Sequence, residues 1–149
     1  MTKSDLKKIL LSRLGIESEK ACEHRLSLPE GFTVLVVDDL KINLTVAKGI
    51  LNGIGVPLIL TALSAEEGLR LATESVPSVI FTDMWMPGTD GSAFLRLLRN
   101  QPETARIPVF AITAEQNPLA TFDLTGFAGV LVKPLTAEML SQAISQTKE

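Results

Sequence analysis

Five short apolar runs constrain what this chain can fold into more than any other feature of its sequence. They predict β-strands at residues 33–37, 56–60, 78–82, 107–112 and 129–132. Nearly every position in these runs is apolar, which is typical of strands that are buried on both faces of a parallel sheet. Parallel neighbours must be joined by crossover segments, so the pattern predicts a three-layered α/β domain with a doubly wound, five-stranded parallel sheet.

The segments between the runs carry helical signals. We predict helices at residues 42–52, 65–74, 92–99, 118–124 and 137–146. Ser64 is placed to cap the second helix, and Asn117 followed by Pro118 is a typical start for the fourth. The alternation of strands and helices therefore supports the α/β prediction.

Residues 1–31 differ from the rest and are predicted to form a helical lead-in or linker before a domain at 32–149. Four apolar residues recur there at helical spacing: Leu6, Ile9, Leu10 and Leu14. Such a stripe covers a core or forms a connector more often than it forms a dimer contact. Pro29 and Gly31 then interrupt the helical pattern.

The composition excludes several classes of protein. The chain has 149 residues, of which 46% are hydrophobic and 21% charged, and this suits one domain with a core. A net charge of −3 gives no reason to expect direct nucleic-acid binding. The single cysteine, Cys22, excludes an internal disulfide and a multi-cysteine zinc site. No apolar run approaches the roughly 20 residues of a membrane span, so we expect a cytoplasmic domain without membrane contact.

Polar side chains follow four of the predicted strands. Asp38 and Asp39 come after the first strand, Asp83 after the third, Thr113 after the fourth and Lys133 after the fifth. The carboxyl ends of parallel strands lie at one edge of a sheet, where open α/β sheets bind ligands. The flavodoxin-like strand order 2-1-3-4-5 would set the first and third strands side by side. The sequence thus predicts three carboxylates in one crevice.

The chemistry of such a crevice suits a phosphoryl-transfer site. Crowded carboxylates raise one another's pKa unless a cation lies between them, and Mg²⁺ accepts carboxylate and phosphate oxygens. Lys133 can attract an anion, and the Thr113 hydroxyl can donate a hydrogen bond to it. Each residue alone would be explained by a turn, a cap or a strand exit. The joint arrangement carries the prediction.

With these residues in hand, the chain from about residue 32 to 148 resembles a response-regulator receiver domain of two-component signalling. The matching motifs are Val36–Asp39, Asp83–Gly91, Thr113–Ala114 and Lys133–Pro134. Residues 38–49 are also similar, though less specifically, to receivers joined to hybrid sensor histidine kinases. The chain could thus be a stand-alone receiver or part of a hybrid kinase.

The resemblance implies that the domain is a phospho-acceptor switch rather than an enzyme. Asp83 would accept the phosphoryl group from a phosphohistidine of a histidine kinase or a histidine-phosphotransfer protein. Lys133 would pair with the phosphoryl oxygens, and Thr113 would hydrogen-bond to them. A cis peptide bond is implied before Pro134.

The resemblance also implies a magnesium site. Asp39, Asp83 and the backbone carbonyl of Trp85 would bind Mg²⁺ directly, and Asp38 would reach the ion through water. The indole of Trp85 would either be a partly exposed loop aromatic or shield the site from water.

Two departures from the family pattern concern the output of the switch. Receivers often carry an aromatic residue three positions before the lysine, where this chain has Val130. The stretch between Thr113 and Lys133 is also short, so we expect a reduced helix there.

His24 lacks the sequence context of a phospho-accepting helix, so the donor must lie elsewhere.

Two other functions stay open at this point. A phosphatase with an aspartyl-phosphate intermediate, of the haloacid-dehalogenase type, would need an acidic residue two positions after the nucleophile, where this chain has Trp85. A receiver-like interaction module independent of phosphorylation would not need the full set of acidic, hydroxyl and lysine residues.

Overall fold

The computed structural model describes residues 26–86, 88–115, 117–118 and 124–147. The helical lead-in predicted for the first 31 residues therefore lies almost wholly outside the described residues. Most of the short helix predicted at 118–124 also lies outside them.

The described residues form five strands and four helices in strict alternation except between the last two strands. In chain order they are β1 (Thr33–Val37), α1 (Lys41–Gly53), β2 (Leu58–Ala62), α2 (Ala65–Ser75), β3 (Val79–Asp83), α3 (Gly91–Arg99), β4 (Val109–Thr113), β5 (Gly129–Val132) and α4 (Ala137–Thr147). All neighbouring strands are parallel, in the order β2-β1-β3-β4-β5. The predicted fold class and strand order are confirmed. None of these four helices is long and apolar enough to cross a membrane.

Two strands begin two residues later than the apolar runs predict, at Leu58 and Val109. A proline precedes each of them, and its backbone has no N–H to donate to a sheet ladder. The apolar residues before the prolines, Val56 and Ile107, are buried all the same. Their N–H groups donate to the carbonyls of Leu51 and Thr104 in the preceding turns. These two residues pack into the core but form no part of the sheet.

The core consists of two apolar layers on opposite faces of the sheet. Val34 and Val36 of β1 pack into the layer beneath α1 and α4, whereas Leu35 and Val37 pack into the layer beneath α2 and α3. Every residue of β1, β3 and β4 is buried. The central strands are covered on both faces, which explains why their sequences do not alternate between apolar and polar residues.

The start of α3 is packed against the end of β3. Asp90 caps the helix by accepting a hydrogen bond from the Ala93 N–H at 2.9 Å. The N–H of Gly91 donates to the Met84 carbonyl at 3.2 Å. A Cβ at position 91 would lie 2.7 Å from the carbonyl oxygen of Asp83 and 3.0 Å from the Cα of Met84. Only glycine, which has no Cβ, allows the start of α3 to lie this close to the end of β3. This contact holds the loop between β3 and α3 in place.

We predict that Gly91→Ala lowers the free energy of unfolding by about 1–3 kcal/mol, because the added methyl group meets backbone atoms that cannot move aside without shifting β3. Urea denaturation followed by circular dichroism measures the change. Gly31→Ala is the matched control, since a Cβ there meets no atom within 4 Å in the described part of the chain. Equal stability of the two variants would contradict the assigned contact.

Candidate functional site

Three carboxylates meet at the carboxyl edge of the sheet. Asp38 and Asp39 directly follow β1, and Asp83 is the last residue of β3, the neighbouring strand. One carboxylate oxygen from each of the three residues lies within 4.8 Å of the others. Asp38 and Asp83 are buried, and Asp39 is half-buried. A group of carboxylate oxygens with this spacing could hold a metal ion.

Lys133 is the cation that reaches this group. Its Nζ lies 3.4 Å from Oδ2 of Asp38 and 3.9 Å from Oδ1 of Asp83. Its backbone N–H donates to the carbonyl of Thr113 at 2.8 Å, which holds the end of β5 beside the end of β4. The peptide bond between Lys133 and Pro134 is cis, as the family resemblance implies. Among the described residues, this ammonium lies within 4 Å of two of the three carboxylates, so the crevice keeps an excess of negative charge that attracts cations.

Asp38 is held by hydrogen bonds from its own loop and from α1. Its Oδ1 accepts from the Leu40 N–H at 2.9 Å, and its Oδ2 accepts from Nδ2 of Asn43 at 3.1 Å. The sequence analysis did not identify Asn43 as a site residue. The available signal was an amide side chain in the first turn of the helix that follows the acidic pair.

The surroundings of Asp83 in the fold raise the pKa of its carboxyl group. Burial, followed by repulsion from Asp38, raises its pKa from the ordinary value of 3.8 to about 6. The ammonium of Lys133 and hydrogen bonds from the backbone N–H groups of Trp85 and Met84 act in the opposite direction. Desolvation and like charge outweigh them, so a counter-charge at the crevice would favour the ionised form.

Thr113 lies at the same edge, as the buried last residue of β4. Its Oγ1 accepts a hydrogen bond from the Glu115 N–H at 3.0 Å. A hydroxyl group that accepts one bond still has its hydrogen to donate. Thr113 therefore ties the loop after β4 and keeps a donor for another acceptor.

Trp85 lies on the loop after β3, with 61% of its side chain exposed. This exposure fits one of the two alternatives for its indole, a loop aromatic, and shielding of the site stays a prediction. Val130 is half-buried on β5, and its register partner in β4 is Ala111. His24 lies outside the described residues.

Comparisons with known proteins agree on one family. A family model described as the response regulator receiver domain matches residues 34–145. The probable chemotaxis protein CheY of Rhizobium etli is 30% identical over 121 residues, which are 80% of this chain and 94% of that protein. The nitrate/nitrite response regulator NarL of Escherichia coli is 30% identical over 122 residues, and there the match spans only 56% of the relative.

Solved structures agree with the sequence relatives. The chemotaxis protein CheY4 of Vibrio cholerae superposes with a TM-score of 0.71 at 28% identity, covering 78% of this chain and 98% of that one. The receiver domain of the histidine kinase CKI1 from Arabidopsis thaliana, solved in complex with Mg²⁺ and BeF₃⁻, superposes with a TM-score of 0.69 at 28% identity. That match covers 88% of this chain and 95% of the other.

We predict that, without metal, the Asp83 carboxyl titrates near pH 6. A native-state pKa above that of the unfolded chain means that this group stabilises the fold below about pH 4 and that the contribution is lost as the pH rises through 6. Asp83→Asn should therefore raise the free energy of unfolding at pH 7 by roughly 1–3 kcal/mol, and by little at pH 4.

Urea unfolding in chelator at both pH values, together with a ¹³C titration of the carboxyl groups, measures this dependence. Asp90→Asn is the matched control, because Asp90 is exposed and caps α3 outside the crevice. A titration midpoint near 4 for Asp83 would contradict the raised pKa.

Proposed function

Because the chain belongs to the response-regulator receiver domain family, we propose that it receives a phosphoryl group on Asp83 from a phosphohistidine of a partner protein. The observation that carries the proposal is the meeting of three carboxylates within 4.8 Å of one another, with an ammonium 3.9 Å from Asp83. The partner is a histidine kinase or a histidine-phosphotransfer protein. The domain acts as a phosphorylated switch of protein contacts rather than as an enzyme.

Mg²⁺ is the cofactor we propose, held by the carboxylates of Asp39 and Asp83 and the carbonyl of Trp85, with Asp38 reaching it through water. The all-oxygen donor set suits this hard cation, and the similar CKI1 receiver was solved with Mg²⁺. When bound, the ion supplies positive charge that lets the carboxylates and the phosphoryl oxygens coexist.

Asp83 acts as the nucleophile. Its carboxylate oxygen forms a bond to phosphorus as the bond from phosphorus to the donor's imidazole nitrogen breaks, and the electron pair of that bond stays on the nitrogen. Burial and repulsion from Asp38 raise the pKa of Asp83, so the free crevice disfavours its ionised form. Positive charge in the crevice therefore favours the ionised, nucleophilic form of Asp83, and it also attracts the phosphoryl oxygens.

Lys133 and Thr113 are the residues we propose for the switch. Only contacts that differ between two states can shift the equilibrium between them. Lys133 lies closer to Asp38 than to Asp83, and the Thr113 hydroxyl oxygen binds the Glu115 N–H. A phosphoryl group on Asp83 offers new acceptors to both side chains. Their movement toward it would alter the loop after β4 and the end of β5.

The receiver of the histidine kinase CKI1 is one of the similar solved structures. Together with the resemblance of residues 38–49 to hybrid-kinase receivers, it supports the proposal that this chain is part of a hybrid kinase. Val130 in place of an aromatic residue favours an output that does not depend on an aromatic side chain at that position.

We predict a single phosphoryl adduct of about 80 Da after incubation with acetyl phosphate and Mg²⁺. Intact-mass spectrometry detects it, and Asp83→Asn should abolish it because the nucleophilic carboxylate becomes a neutral amide. Asp90→Asn makes the same chemical change outside the crevice and should keep the adduct.

Absence of the adduct in the natural chain would favour an interaction module independent of phosphorylation. Steady release of phosphate with many turnovers per minute, instead of a stable adduct, would favour the phosphatase alternative.

We also predict that millimolar Mg²⁺ changes the fluorescence of Trp85, the only tryptophan of the chain. A metal ion bound to the backbone of this loop alters the surroundings of the indole. Asp39→Asn should weaken the apparent affinity at least tenfold, because a charged ligand becomes neutral, whereas Asp90→Asn should leave it unchanged. No change at millimolar metal would count against binding in the crevice.

A further inference from the structure

Three donors from the described residues share the carboxylate of Asp38. Its Oδ1 accepts the Leu40 N–H at 2.9 Å. Its Oδ2 accepts both Nδ2 of Asn43, at 3.1 Å, and Nζ of Lys133, at 3.4 Å. Asp38 is only 4% exposed, so bulk water does not readily replace a donor that is lost there. The two donors on Oδ2 therefore compete for one buried oxygen atom.

These two donors differ in charge and in their freedom to move. Lys133 carries an ammonium on a flexible chain, and its Nζ is also 3.9 Å from Oδ1 of Asp83. Asn43 carries a neutral amide on a short side chain. Its backbone is fixed in the first turn of α1, where its N–H donates to the Leu40 carbonyl at 3.1 Å. Lys133 can thus move from one carboxylate to the other, whereas Asn43 stays beside Asp38.

A purely local role for Asn43, at the start of α1, is the alternative. The bond from the Leu40 N–H to Oδ1 of Asp38 already ties this start to the crevice. Asn43 donates to the other carboxylate oxygen, which is the one that Lys133 contacts. Asparagine is also a weaker helix former than leucine or alanine. Both observations favour a role for Asn43 in the crevice.

The departure of Lys133 from Asp38 has different consequences with and without Asn43. With the amide in place, Oδ2 keeps a hydrogen bond when the ammonium moves toward Asp83. Without the amide, Oδ2 would lose its last donor from the described part of the chain. A buried carboxylate oxygen without a partner is strongly disfavoured. Lys133 would then be retained by Asp38.

We propose that Asn43 is a positioning residue that holds Asp38 in place while Lys133 moves to the phosphoryl group on Asp83. The inference rests on the proposed function, because it concerns the same phosphoryl group. Asn43 acts through Asp38 and Lys133. Its removal should therefore weaken those contacts to the phosphoryl group that depend on the ammonium.

Asn43→Leu tests the proposal, because leucine is similar in size to asparagine and has no donor. Position 43 lines a cavity of about 380 Å³ whose walls include Val46 and Ala47, so a leucine side chain has apolar surroundings there. Asn43→Ala removes the same donor without adding apolar bulk and is the second variant. Asn52→Leu is the matched control, since it makes the same change at an exposed position in the last turn of α1. Urea unfolding checks that all three variants fold.

The readout is the affinity of the full chain for BeF₃⁻ at saturating Mg²⁺, followed by ¹⁹F NMR. BeF₃⁻ binds to a carboxylate oxygen and presents three fluorine atoms as acceptors in place of the phosphoryl oxygens. Asn43→Leu should weaken this affinity about tenfold, whereas Asn52→Leu should change it by less than about twofold. Saturating Mg²⁺ separates the effect from a change in metal affinity.

A double-mutant cycle separates positioning from a structural role. Lys133→Met keeps the length of the side chain and removes the ammonium. In that background Asn43→Leu should change the affinity for BeF₃⁻ by less than about twofold, because the cation on which its effect depends is absent. The same tenfold loss in that background would overturn the proposal.

Amide hydrogen exchange measures the structural role directly. The N–H groups of Asn43 and Leu44 both donate to the Leu40 carbonyl in the first turn of α1. Their exchange rates in Asn43→Leu should stay within about threefold of those in the natural chain. Much faster exchange, accompanied by the weaker affinity, would assign the loss to fraying of α1 and overturn the proposal.

Failure of the proposed function has a different signature. A natural chain that bound no BeF₃⁻ and formed no phosphoryl adduct would contradict the proposed function, and this inference with it. Binding by the natural chain, with equal affinity in Asn43→Leu, would overturn only the role of Asn43.

Discussion

The site depends on a charge imbalance that the sheet enforces. The carboxyl ends of β1 and β3 bring three carboxylates within 4.8 Å of one another, and Lys133 reaches two of them. Repulsion between like charges normally separates side chains or protonates one of them. Here separation is prevented, and burial together with repulsion from Asp38 raises the pKa of Asp83. A divalent cation held by these carboxylates would relieve that repulsion.

The core supplies the rigidity that this arrangement needs. Every residue of β1 and β3 is buried, and the register that pairs Val37 with Thr82 sets the two strand ends side by side. Close packing of Gly91 against the carbonyl of Asp83 removes the space into which the end of β3 could retreat. The packing that stabilises the fold therefore also holds the three carboxylates close together.

Helix α1 connects the crevice to the rest of the surface. Asn43 in its first turn binds Asp38. A cavity beside α1 is lined by Asp38 and Lys133, the same two side chains that form an ion pair in the crevice. A change in the position of either side chain would therefore alter the wall of this cavity.

Patterns within the chain determined the architecture and most of the site. Consecutive apolar positions indicated strands buried on both faces, and each crossover returns the next carboxyl end to the same edge, so Asp38, Asp83 and Lys133 had to lie along one edge of the sheet. Only the tertiary structure decided that Val56 and Ile107 fill the core without joining the sheet, that Asn43 holds Asp38, and that Thr113 turns to the Glu115 N–H. The burial of Val56 and Ile107 is created when remote segments pack together. The two hydrogen bonds join residues only five and two positions apart, and they depend on side-chain orientations that the residue pattern leaves open.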